Sequence, residues 1–355
     1  MIDPQSRNLE WIEQASRLIP HIVDTALVEK AIRALSLLES LVRSGCPFIF
    51  KGGTALMLHL DTSRRLSIDV DIVCPPGTDI REYLGQYGSE YGFLEAKEIE
   101  RHSRTGVPKS HAEYRYAVTY PSGRPMDKIL LDVLYENIHY DEVVSLPIAS
   151  PLLKQTGTPV MVQCPSLKDM LGDKLIAFAP HTTGIPFFKD GDEFFMEIMK
   201  QLYDVSSILD RIDDLSGVRK TYRELVPIEL GYRRMEHLVE ADVLEDTYNC
   251  AMIICHRGAL EKTEFGYFAK GARRVNSFII PENYNADIAI RDAAKVAYLV
   301  RLIQTGNNQV KHYAPEMNKE LAATLIQSQS LNKLNYIKKI SLEAFFYLLE
   351  LEKMM

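Results

Sequence analysis

The sequence predicts an α+β protein: an N-terminal domain built on a mixed sheet flanked by helices, then a mainly helical C-terminal domain. Three observations predict it. Strand-like stretches of period two lie before residue 136, and helical three-to-four spacing dominates later. A strand–turn–helix–strand unit occupies residues 48–73, F-I-F-K-G-G-T-A-L-M-L-H-L-D-T-S-R-R-L-S-I-D-V-D-I-V. The chain has 355 residues, more than one comfortable core, so two domains are expected, 1–190 and 191–355.

Composition bounds the class. Hydrophobic residues make up 46% and charged residues 25%, as in an ordinary soluble globular protein. No run of about eighteen apolar residues exists, so no membrane span is expected. The start, M-I-D-P-Q-S-R-N-L-E-W-I-E, lacks the charged-then-apolar form of a signal peptide, and a cytoplasmic protein is expected. The five cysteines include no C-x-x-C pair, which argues against a disulfide framework or a zinc site. A net charge of −7 argues against a broad nucleic-acid-coating surface, though not against a local basic patch.

Residues 1–26 are mixed and partly helical. Ala31, Leu35, Leu38 and Val42 recur at three-to-four spacing, which predicts a helix over 28–44 that Gly45 ends. Phe48, Ile49 and Phe50 form a short strand, and Gly52 and Gly53 then let backbone approach a ligand closely. Thr54 suits the N-cap of a helix over 55–60, so unpaired N–H groups point out of the turn beside Lys51. Amides with a lysine suit an anion, phosphate above all.

The next strand carries the sharper signal. Side chains alternate across a strand, so Arg65, Ser67, Asp69 and Asp71 share one face, while Leu66, Ile68, Val70 and Ile72 pack on the other. Two residues of rise set the two aspartates roughly 6.6 Å apart, where their charges repel by roughly 2–3 kcal/mol at an effective dielectric near 20. A hard divalent cation relieves this, and Mg²⁺ characteristically joins one or two carboxylates to substrate phosphates. The wet face of an edge strand would carry such a pair too; the Lys51–Thr54 turn upstream favours a site.

Pro75, Pro76 and Gly77 break the chain. A short helix is expected over 79–87, a mixed stretch over 92–101 and a polar loop over 101–111. Tyr114, Tyr116, Val118 and Tyr120 alternate over 112–120, a turn follows at 121–125, and a second strand covers 128–135, which predicts a hairpin. Asp132 sits inside L-L-D-V-L, where a lone acid is costly unless paired, hydrogen-bonded or bound to a cation. The capping-box-like S-x-x-D at 166–169 starts a helix that runs to 179. There Lys174 falls in an apolar stripe with Leu167, Leu171 and Phe178, a place for a charge that snorkels or meets a ligand.

A loop over 180–192 precedes a helix over 193–209, in which Lys200 and Asp204 are spaced for a surface pair. Beyond it Gly217, Pro227, Gly231 and Gly258 are candidate breaks, 281–285 is a loop, and helices are expected over 287–305, 315–329 and 341–354. Charge is uneven: residues 189–246 hold fifteen acids against eight Lys/Arg, and 255–311 hold nine Lys/Arg against five acids. The second segment is either a basic surface for RNA or an ordinary solvated face.

K-G-G-T-A-L at 51–56 followed by R-x-S-x-D-x-D at 65–71 resembles the polymerase-β-type nucleotidyltransferase superfamily. It is most similar to the AbiEii/AbiGii abortive-infection toxin branch, which includes the MenT toxins. D-K-L at 173–175 and K-Q-L-Y-D-V at 200–205 look like two further motifs of that branch, with Gln201 where the second usually has an aspartate. Where the branch often has a charged residue after D-K-L, this chain has Pro180 and His181.

The resemblance implies an N-terminal nucleotidyltransferase domain and a transfer reaction. Asp69, Asp71 and Asp132 would hold Mg²⁺, and Asp132 would also activate the acceptor or take its proton. Gly52, Gly53 and Thr54 would cradle the NTP phosphates with Lys51 and Lys174, and Arg65, Ser67 and Asp173 would complete the nucleotide-binding set. The expected acceptor is the tRNA 3′ end, contacted through Arg257, Lys262, Lys270, Arg273, Arg274, Arg291 and Lys295, and an antitoxin is the expected partner. A small-molecule acceptor such as an aminoglycoside, or an inactive binding module on the same fold, are the alternatives. A Walker-type NTPase is excluded, since G-x-x-x-x-G-K-[ST] is absent.

Overall fold

The computed structural model describes residues 1–19, 24–60, 64–83, 85–99, 108–121 and 123–355. They form two compact units, one of 1–166 with 277–283, the other of 167–276 with 284–355.

The first unit holds α1 (Leu9–Arg17), α2 (Thr25–Arg43), β1 (Ile49–Lys51), α3 (Gly52–His59), β2 (Val70–Cys74), β3 (Phe93–Ile99), β4 (Lys109–Ala117), β5 (Met126–Tyr135), β6 (Val143–Pro147) and β7 (Met161–Pro165). Its main sheet runs β1-β2-β5-β4-β3, and β6 pairs with β7 apart from it. β2 and β5 are parallel and the other neighbours antiparallel, so the sheet is mixed. Val70 and Ile72 of β2 and Ile129, Leu131 and Val133 of β5 are buried, which turns their alternating neighbours Asp71 and Asp132 to the other face. Tyr114 and Tyr116 are buried too, each edge-on to Phe93, at 5.5 and 6.4 Å.

Asp24 caps α2 through the Ala26 N–H at 2.9 Å, and Gly45 follows its end at φ +75°. α2 is buried almost all round and carries acids whose oxygens are spoken for. Glu29 accepts from the Thr119 and Tyr120 N–H groups, both at 2.9 Å, and Glu39 from the Ile2 N–H at 3.0 Å and the Tyr91 hydroxyl at 2.7 Å.

Three expectations change here. The described residues of 79–87 hold only a 3₁₀ turn, Ile80–Glu82, started by Asp79. The mixed stretch is the strand β3, an edge strand whose Leu94, Glu95 and Glu98 leave no clean buried face to read. The predicted polar loop lies largely outside the described residues, but its last part, Lys109 to His111, belongs to β4. A segment from the far half of the chain also joins this unit: Leu66 N–H donates to Phe278 O at 2.8 Å and Ile280 N–H to Arg64 O at 3.0 Å.

The second unit holds α4 (Leu167–Ala177), the short pair β8 (Phe188–Lys189) and β9 (Asp192–Glu193), α5 (Phe195–Leu209), α6 (Ser216–Arg233), α7 (Glu240–Cys255), α8 (Lys262–Val275), α9 (Ala286–Thr305), α10 (Asn318–Ala323) and α11 (Leu342–Glu352). α4 packs on α5 and α6, so the unit begins at 167 where the sequence suggested 191. Gly217, Pro227 and Gly231 do not break α6; buried Val218, Tyr222, Leu225, Val226 and Leu230 hold it across the proline, which costs a helix interior about 3 kcal/mol. The helix expected over 315–329 is only a 3₁₀ turn and α10. Asp292, fully buried, accepts from Ser206 Oγ and Tyr284 Oη at 2.8 Å and Arg291 Nε at 3.0 Å, and so ties α9 to α5. No helix among the described residues is long and apolar enough to cross a membrane.

Candidate active site

The sheet register gathers the predicted residues of the first unit. Lys51 on β1 is opposite Asp71 on β2, Asp71 is opposite Asp132 on β5, and Asp132 is opposite His111 on β4. Residues in register point to the same face, one strand spacing of about 4.8 Å apart. One rung therefore aligns a lysine, two carboxylates and an imidazole. Asp71 and Asp132 are half-buried, and His111 Nδ1 lies 2.5 Å from Asp132 Oδ1.

The residues leading into β2 are arranged differently from the single long strand expected. The ladder begins only at Val70, and Asp69 stands just before it. Thr54 is not the N-cap of α3. The helix starts at Gly52 with Lys51 in the cap position, and Thr54 is buried in its first turn, where its hydroxyl donates to the Asp69 carbonyl at 2.5 Å. Thr54 thus fixes the backbone of the aspartate strand. Arg65 and Ser67 do not share a strand face with Asp71 either. Arg65 is buried, forms a bridge with Ile279, and donates from Nη1 to Leu66 O at 3.1 Å.

The two glycines make room for this chain's own side chains. Gly52 has φ +79°, and a Cβ on it would run into the Asp71 carboxylate. A Cβ on Gly53 would come within 2.5 Å of Arg65 Nη2 and 2.7 Å of Ser67 Oγ. The Gly-Gly turn therefore lets Asp71 lie against the N-terminus of α3, whose partial positive charge offsets the aspartate repulsion. Three carboxylates on one rung and its approach are hard oxygen donors, a set that fits Mg²⁺.

His111 was missing from the sequence reading, which placed it in a loop. Its signal was the alternation of polar His111, Glu113 and Arg115 with Ala112, Tyr114 and Tyr116, which extends the strand pattern back by one residue.

Asp173 and Lys174 lie on α4 of the second unit. Lys174 does not snorkel: its Nζ meets Asp204 Oδ2 at 2.9 Å, and both residues are buried, Asp204 completely. The two aligned motifs of that unit, D-K-L and K-Q-L-Y-D-V, are thus joined by an internal ion pair, and Asp204 lies in the core rather than on a solvated face. Most cations proposed for RNA are also engaged. Arg257 pairs with Asp287, Lys270 and Arg274 share Glu193 at 2.7 and 3.1 Å, and Arg291 meets Asp292 at 3.0 Å. Lys295 is buried between Asp210 and Glu343, each at 2.6 Å. Lys262 and Arg273 are exposed.

The family profile described as nucleotidyl transferase AbiEii toxin, type IV TA system, matches residues 33–248, more than half of the chain. The protein is a nucleotidyltransferase, a class that generally works with a divalent metal. It belongs to the AbiEii toxin family of type IV toxin–antitoxin systems. The chain has no significant match among curated proteins. Its fold is distantly similar to the crystal structure of JHP933 from Helicobacter pylori, with 12% identity and TM-score 0.41 over 78% of this chain and 93% of that one. It is also distantly similar to an antigenic nucleotidyltransferase-like protein from Paracoccidioides brasiliensis, with 14% identity and TM-score 0.34 over 59% of this chain and 92% of that one.

Proposed function

We propose that the protein transfers a nucleoside monophosphate from an NTP to an acceptor hydroxyl with Mg²⁺, that the acceptor is the tRNA 3′ end, and that this modification is the toxic act of a toxin–antitoxin pair. The observation that carries the chemistry is the rung Lys51–Asp71–Asp132–His111 with Asp69 beside it. Mg²⁺ held by Asp69, Asp71 and Asp132 would supply the positive charge that the triphosphate and the acceptor oxygen need. Lys51 and the free N–H groups at the start of α3 bind phosphate oxygens, as helix N-termini do. Asp132 takes the acceptor proton as the oxygen attacks the α-phosphorus and pyrophosphate leaves, and His111 orients its carboxylate. Asp173 and Lys174 enter the proposal through the motif they match. The tRNA acceptor rests on the resemblance to the toxin branch.

The test is incubation with each labelled NTP, Mg²⁺ and total tRNA, followed by a denaturing gel. Labelled tRNA that disappears with Asp71→Asn is the expected result. Label transferred only to an aminoglycoside-type acceptor would overturn the tRNA assignment, and no transfer to either would overturn the reaction.

A further inference from the structure

Away from the aspartate rung, the second unit gathers four side chains that the transfer reaction does not use. Asp246 and Cys250 are one turn apart on α7 and face the same way. His181, in the turn after α4, places Nδ1 2.7 Å from Asp246 Oδ1 and 3.9 Å from Cys250 Sγ, and that sulfur is 3.6 Å from the same oxygen. Glu264 on α8 stands 2.9 Å from His181 Nε2.

We propose that His181 Nδ1, Asp246 Oδ1 and Cys250 Sγ form a binding site for one zinc-class divalent ion, with water in the fourth position. Bond lengths of about 2.0–2.3 Å in a tetrahedral zinc site put neighbouring ligand atoms about 3.4–3.6 Å apart. Two of the three separations already have that scale, and the third opens by a fraction of an ångström once an ion replaces the proton shared between His181 and Asp246.

The surrounding groups are placed to support it. Glu264 takes the Nε2–H, which directs the Nδ1 lone pair at the other two ligands, the carboxylate–histidine–metal arrangement. Asp246 Oδ2 is held by the His181 N–H and the Thr182 hydroxyl, both at 2.9 Å, which leaves Oδ1 for the ion. Cys250 and Asp246 are buried, while the His181 side chain is 47% exposed and gives an entry path and the water position. Without an ion both ring nitrogens face carboxylates. Binding exchanges the Nδ1 proton and the thiol proton for the ion, so two protons leave for each ion bound. A thiolate among the ligands selects zinc-class over hard ions, so this site is distinct from the all-carboxylate one. The missing C-x-x-C pattern does not exclude it, because its ligands come from three separated positions.

The test uses the full chain, stripped with chelator and then titrated with Zn²⁺ alone, with Co²⁺ alone and with Mg²⁺ alone. One Zn²⁺ per chain, a thiolate-to-cobalt charge-transfer band, and no displacement by Mg²⁺ are expected. Cys250→Ser should abolish the band. Glu264→Gln, which leaves all three ligands in place, should weaken Zn²⁺ about 10–100-fold. Asp69→Asn should change neither, which separates this site from the aspartate rung. A band that survives Cys250→Ser, or Zn²⁺ uptake unchanged by both variants, would overturn the proposal. Should Cys250→Ser fail to fold by circular dichroism, Glu264→Gln and His181→Asn decide, and undiminished Zn²⁺ binding by both would equally sink it.

Discussion

At the scale of single residues, the rung makes sharp predictions. Asp69→Asn and Asp71→Asn should each nearly abolish transfer while leaving the melting temperature unchanged or higher, because each removes a like charge. Wild-type turnover by either variant at saturating Mg²⁺ would remove it from the metal site. His111→Ala should lower transfer about 10–100-fold, the usual cost of losing a partner that orients a metal-binding carboxylate. The same variant should raise the Mg²⁺ concentration needed for half-maximal rate; a changed melting temperature with unchanged Mg²⁺ dependence would make His111 merely structural. Gly52→Ala should destabilise by at least about 1–2 kcal/mol from its left-handed backbone alone. Its new methyl also displaces the Asp71 carboxylate, so denaturant melts and activity should fall together. The aspartates were legible in the sequence because D-x-D is local. Their grouping with Asp132 came from the family resemblance alone, since residues 71 and 132 meet through a parallel pairing that no local pattern encodes.

At the scale of elements, the ion pair between α4 and α5 changes what Lys174 is expected to do. The sequence suggested that Lys174→Ala would harm nucleotide use more than stability. With Asp204 fully buried as its partner, the alanine variant removes one half of a buried ion pair, which costs about 3–5 kcal/mol. Urea melts of Lys174→Ala, Asp204→Leu and the Lys174→Met/Asp204→Leu double variant test this: the double variant should recover most of the loss. A double-variant loss equal to the sum of the two single losses would show that the pair is not coupled. The elements read well from sequence share one property, a strong period with a cap or breaker at its end. The helix expected over 28–44 is α2, that over 287–305 is α9, and the hairpin is β4 with β5. β3 and β6 were missed because exposed strands lack a buried face, β7 because its alternation of buried Val162 and Cys164 is only five residues long, and α6 was misread because packing overrides a proline.

At the scale of the whole molecule, a net charge of −7 leaves little long-range attraction for RNA, and most cations of 255–311 are neutralised by nearby acids. tRNA binding should therefore show a shallow salt dependence carried by a few exposed groups. Changing Lys262 and Arg273 together to Gln should reduce the slope of log K against log salt by about 2 if both touch phosphates. An identical slope in the variant would take both out of the interface. The first unit is also discontinuous, so a fragment of residues 1–190 lacks the segment that pairs with Arg64 and Leu66. Such a fragment should unfold without a cooperative transition, and a sharp melt would show the segment to be dispensable. That segment sets a clock on synthesis. Ile280 leaves the ribosome 216 residues after Arg64 (280 − 64), so at about 5–20 residues per second the stretch that leads into the aspartate strand waits about 10–40 s for its partner. The first unit is thus completed only when four-fifths of the polypeptide has been made.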